Sequence, residues 1–128
     1  MSRAGDYFSQ AAAQGDLVAT AVLGFMHYRG EGRKADFETA QILIQRAAER
    51  GEANGMLTYG VMYLEGKALT RNPLQAFKWF LLADQHSGGS STITSRVKGY
   101  LEHASEYLGD SEEAEARRLA AAFVVKAP

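Results

Sequence analysis

The sequence predicts an all-α chain of about seven helices, stacked as antiparallel pairs into a solenoid. Three observations carry this. Adding 36 (51 minus 15) to a position in 15–50 returns the same residue class in 51–86. Gly15 pairs with Gly51, Gly24 with Gly60, Met26 with Met62, Gly30 with Gly66, Ala40 with Ala76 and Ala47 with Ala83. A fixed spacing of roughly 20–50 residues marks an array whose units bury their apolar faces on one another. Within the units, apolar residues recur at i, i+3, i+4, i+7, the period of one helical face. Finally, no segment sustains the apolar–polar alternation of a strand.

The array starts half a unit early. Ala4, Tyr7, Phe8 and Ala11 make a helical stripe over 3–14, and they line up with Ala40, Leu43, Ile44, Ala47 and with Ala76, Trp79, Phe80, Ala83. Gly15-Asp16 ends that helix and opens the next, with Asp16 as candidate N-cap. The helix over 16–29 is nearly uncharged at its centre, so it is expected to be covered on more than one side. Gly24 within it costs about 1 kcal/mol of helix propensity relative to Ala. Its recurrence as Gly60 points to a neighbouring helix that approaches closely. Gly30-Glu31-Gly32 is a turn, Asp36 caps a helix over 37–50, and Gly51 stops it. The second unit repeats the plan, with a helix over 53–65, Gly66 as breaker, and Asn72-Pro73 as N-cap and N1 of a helix over 73–86.

The spacing then slips. Ser87-Gly88-Gly89-Ser90-Ser91 reads as a flexible connection, and the stripe Ala76, Trp79, Phe80, Ala83 is best continued by Ala116, Leu119, Ala120, Phe123, an offset of 40. A diverged first helix spans 92–108. Asp110-Ser111-Glu112-Glu113 suits a capping box, with acids where the helix dipole prefers them, and the helix it opens closes the array. The chain thus divides into a half repeat (3–14), repeat one (15–50), repeat two (51–86), and a diverged repeat with its closing helix (87–125), all within a single domain of 1–128.

Composition narrows the function classes. A formal charge of −1 with dispersed Lys and Arg gives no electrostatic case for nucleic acid or an anionic membrane. No cysteine is present, which removes disulfides and thiolate metal sites. The N-terminus lacks the apolar core of a signal peptide. A cytoplasmic location is the expectation, with secretion by a route without a signal peptide left open.

Several stretches carry a resemblance. Ala-Ala-Ala-Gln-Gly-Asp at 11–16, Leu-Gly-Phe-Met-His-Tyr-Arg-Gly-Glu-Gly at 23–32, Arg-Ala-Ala-Glu-Arg-Gly-Glu-Ala at 46–53 and Tyr-Gly-Val-Met-Tyr-Leu-Glu-Gly at 59–66 resemble the Sel-1-like repeat. That repeat is a relative of the tetratricopeptide repeat. The segment Ala-Phe-Lys-Trp-Phe-Leu-Leu-Ala at 76–83 is similar to the family's second helix. Together these cover about residues 4–87, and 111–125 resembles the closing helix of bacterial members. The resemblance implies a right-handed superhelix that serves as an adaptor or scaffold for other proteins. Two positions depart from it: His27 stands where Tyr is usual, and Ala68 stands where repeat one has Gly32.

Arrays of this kind line a concave groove with their first helices. With Ala19, Leu23, His27 and Gly55, Tyr59, Tyr63 facing the packing side, the groove face is Val18, Val22, Phe25, Arg29 in repeat one and Asn54, Thr58, Val61, Glu65 in repeat two. Spacing i, i+4, i+7, i+11 keeps each set on one face. Phe25 and Val61 would form an apolar floor, with Arg29 and Glu65 at the rim, suited to a peptide or helix with one or two apolar anchors. Alternatively, Val18, Val22 and Phe25 pack against the half repeat or a second copy, and a weak homo-oligomer is the competing expectation. Arg29, Arg33 and Lys34 form a basic turn that is either solvated or docks an acidic partner. Chemistry is not indicated. His27, His86 and His103 show no metal-ligand spacing, the Ser cluster at 87–95 has no nucleophile motif, and Glu112, Glu113 and Glu115 suit the helix dipole. No catalytic, cofactor-binding or metal-binding residues are assigned, and the expectation is a protein or peptide partner rather than a substrate.

Overall fold

Five of the described helices begin at a residue whose side chain accepts backbone N–H groups that no helical carbonyl can reach. The computed structural model describes residues 3–30 and 35–127, and among these it has seven helices and no strand. They are α1 (Arg3–Ala13), α2 (Leu17–Arg29), α3 (Phe37–Glu49), α4 (Ala53–Glu65), α5 (Pro73–Gln85), α6 (Ser91–Ser105) and α7 (Asp110–Ala121). Asp16 accepts from Ala19 N at 3.0 Å and Asp36 from Thr39 N at 3.0 Å. Asn72 does the same for Gln75 N at 3.1 Å, with Pro73 at N1. At the position equivalent to Asp16, Glu52 caps α4 by accepting from Asn54 N and Gly55 N. Burial pushes its carboxyl up, and those two N–H groups partly offset this.

The repeat is visible in the turns as well as in the helices. Gly30 and Gly66 close α2 and α4 with φ of 74° and 71°, a conformation that side-chain-bearing residues rarely adopt. Beyond each of them, one bond pins the outgoing chain to the helix it has left. Asp36 N donates to His27 O, and Asn72 N donates to Tyr63 O, both at 2.9 Å. Residues 31–34, which include Gly32, Arg33 and Lys34 of the expected basic turn, lie outside the described residues.

Consecutive helices pack in sequence from α1 to α6, the first helices α2, α4 and α6 also touch one another, and α7 packs on α5. A Cβ on Gly24 would lie 2.8 Å from Ile44, and one on Gly60 would lie 2.5 Å from the ring of Phe80. The two glycines therefore let the second helix of each unit press a fully buried side chain onto the backbone of the first. Ile44 and Phe80 are fully buried there, 36 residues apart (80 minus 44). The core continues through Met56, Met62, Trp79 and Leu82 to Val97 of α6 and Ala116 of α7.

The C-terminal third departs from the expected boundaries in three ways. Ser87–Ser90 forms an ordered turn, with Gly88 and Gly89 at positive φ and Ser90 as the N-cap of α6. Gly109, rather than Asp110 or Ser111, precedes the first residue of α7. Only half of a capping box forms there, the Glu112 carboxylate accepting from Gly109 N at 3.0 Å. The closing helix stops at Ala121, short of the expected Val125. Beyond it Lys126 N donates to Glu49 O at 2.8 Å and its ammonium meets the Glu49 carboxylate at 3.1 Å. Phe123 sits past the helix and reaches its place from this strap, meeting Trp79 edge-on at 5.4 Å and lying beside His86.

Candidate partner-binding groove

The first helices α2, α4 and α6 lie side by side, and their common face encloses a trough of about 810 Å³. From α2 come Phe25, Tyr28 and Arg29; from α4 come Leu57, Thr58, Val61 and Glu65; from α6 come Arg96 and Tyr100. Ala35 and Phe37 border it at the start of α3, and Lys67 borders it beyond α4. Five of the eight residues expected on the groove face are gathered here: Phe25, Arg29, Thr58, Val61 and Glu65. Of these Thr58 is nearly covered, so it contributes wall rather than contact surface. The other three, Val18, Val22 and Asn54, come earlier in α2 and α4 and do not line it; Val18 remains 54% exposed.

Seven bordering residues lie outside the set expected from the sequence: Tyr28, Ala35, Phe37, Leu57, Lys67, Arg96 and Tyr100. A signal existed for one of them. First helices α4 and α6 begin 38 residues apart (91 minus 53), so Thr58 corresponds to Arg96. The second helices carry a different offset, 40 in their stripe, so the two sets of helices do not share one spacing past residue 86. Tyr28 and Leu57 each sit one residue before a member of the expected face, Arg29 and Thr58. They reach the trough because α2 and α4 are covered on nearly every side.

The floor is apolar and firmly backed. Tyr100 stacks on Phe80 with ring centres 5.1 Å apart and planes 15° from parallel, so the buried core ring supports the exposed one. Tyr28 packs on Phe37 at 5.6 Å and donates a short hydrogen bond to the Glu65 carboxylate, tying α2 to α4 across the trough. Arg29 lies over the Phe25 ring at 5.8 Å. Among the described residues the rim carries three cations, Arg29, Lys67 and Arg96, against one carboxylate, Glu65. Among the described residues none of the three cations forms an ion pair.

The Tyr28 phenol is held neutral far above its ordinary value, first by burial and then by its bond to Glu65. Tyr59, buried against Trp79 and within reach of Tyr63, is held up in the same way. In the unfolded chain both phenols ionise at about pH 10. Their raised folded values therefore contribute stability that is fully present below about pH 10 and is lost as pH rises beyond it. Each can remove up to about 1.4 kcal/mol per pH unit. Urea midpoints should be level between about pH 7 and 9 and fall steeply by about pH 11, and Tyr28→Phe should remove roughly half of that fall. A midpoint that holds to about pH 11 would contradict the assignment.

These features define a class, a helical-repeat solenoid whose first helices form an open binding face. The Sel1 repeat model matches residues 1–16, 18–52 and 53–83, well over half of the sequence, and the chain belongs to the Sel1 repeat family. Repeats of this family mediate protein–protein interaction. Among solved structures, the chain is similar to a protective antigen present in uropathogenic Escherichia coli strains that displays an SLR fold. The TM-score is 0.56 at 24% identity, covering 97% of this chain and 30% of that one, a likeness of fold. No curated protein matches the sequence.

Proposed function

We propose that this chain is an adaptor that captures a segment of another protein in the trough formed by α2, α4 and α6. The observation that carries the reading is the convergence of Phe25, Val61 and Tyr100, from three consecutive first helices, on one solvent-open apolar floor. Interfaces concentrate their affinity in a few such buried anchors. Here the floor is preorganised, since Phe80 and the Tyr28–Glu65 bond fix two of its walls before any partner arrives.

Affinity capture from the source cell with the wild-type chain and with Phe25→Glu and Val61→Glu tests this. Each variant buries a carboxylate against an apolar partner surface and should reduce recovery of a groove-bound protein by more than about tenfold. Both positions are partly exposed, so folding should survive, which circular dichroism verifies. If both variants fold and recover the same proteins in the same amounts, the groove is not the binding surface. A second reading, self-association through the N-terminal flank, is favoured by the exposed Tyr7 of α1 and Val18 at the start of α2 (66% and 54%). Light scattering that shows a monomer at every concentration removes it.

A further inference from the structure

We infer that the segment bound in the trough is acidic and carries an apolar side chain between its carboxylates. This rests on the groove reading and adds the partner's chemistry. Arg29 stands at the end of α2, Lys67 beyond the end of α4 and Arg96 on α6, so three separate elements deliver a cation to one opening. All three are exposed. The chain as a whole carries a formal charge of −1, so this clustering is local rather than a reflection of a basic protein. Glu65, the one carboxylate among the described rim residues, already accepts the Tyr28 hydroxyl, whereas the cations form no ion pair among the described residues. Cations gathered around one apolar opening repel one another. A ligand that brings carboxylates to the rim and an apolar group to the floor relieves this repulsion, and is steered in by the same field.

A neutral apolar segment would use the floor and leave the cations uncompensated, and a basic segment would add to their repulsion. The rim also argues against a nucleic-acid strand, since Glu65 stands among the cations where a phosphate would pass.

The test is selection of a random peptide library displayed on phage against the full chain, with the Phe25→Glu/Val61→Glu double variant as counter-selection. Enriched peptides should be net acidic with at least one aliphatic or aromatic residue. In fluorescence polarisation their affinity should fall about tenfold with Lys67→Glu plus Arg96→Glu, and should also fall as salt is raised. Peptides that depend on Phe25 and Val61 but are neutral or basic overturn the acidic assignment and leave the groove standing. No peptide dependent on Phe25 and Val61 removes both. The chain's own Asp110, Glu112 and Glu113 offer another source of carboxylates. A dimer in light scattering that Arg96→Glu dissolves would make a second copy the occupant and overturn the proposal.

Discussion

Phe80→Ala is expected to destabilise the fold by about 3–5 kcal/mol, the range for deleting a fully buried aromatic ring. The site offers little room for relaxation. One side of the Phe80 ring is the bare backbone of α4 at Gly60, and another is Tyr100 of α6, stacked in parallel. Helix backbones do not collapse into a void as flexible side chains do, so the cavity should persist at the junction of α4, α5 and α6. Against a typical total of about 5–15 kcal/mol for a domain, that is a large share. The urea midpoint should fall sharply with the slope unchanged. A loss under about 1 kcal/mol would show that the junction is far softer than its packing indicates. Because Tyr100 loses its backing, groove binding should weaken even in molecules that remain folded.

The second large effect concerns the other side of the same contact. Gly60→Val is expected to destabilise by about 2–3 kcal/mol, even though Val is a better helix former than Gly. Its Cβ would lie 2.5 Å from Phe80 Cε1 and 2.7 Å from Cδ1, and two further methyl groups would follow. The ring is fully buried and has nowhere to swing. Gly99→Ala is the matching control, since a Cβ there meets nothing within 4 Å. On the exposed face of α6 it should stabilise by about 0.5–1 kcal/mol through helix propensity. Combining Gly60→Val with Phe80→Leu, which removes the obstructing ring atoms, should cost less than the sum of the two single changes. Strict additivity would show that the two residues do not compete for the same space.

The fold was legible because the residues that set it act locally or at a fixed spacing. Gly24 and Gly60 are poor helix residues repeated at one interval, and that repetition announced the close approach of Ile44 and Phe80. Asp16, Asp36 and Asn72 announced their helix starts through capping chemistry that depends on only three or four neighbours. What escaped depended on contacts distant in sequence. The end of α7 is set by Glu49, 77 residues before Lys126, and no local signal between Ala121 and Lys126 foretells it. The floor of the trough was half legible. Phe25 and Val61 follow from helical phase, whereas Tyr100 requires the two-residue lengthening ahead of α6 to be assigned to the loop rather than to the helices.

The strap after α7 changes what kind of object this array is. In an open solenoid each unit answers only to its neighbours, and the ends can fray one unit at a time. Here Phe123 closes on Trp79 and His86 of repeat two, Val125 lies against Gly51, and Lys126 holds Glu49 at the end of repeat one. The segment that follows α7 is thus tied to repeat one. Peeling it away requires breaking contacts in both repeats at once. The repeats that frame the trough are thereby coupled, and they are expected to melt as one unit.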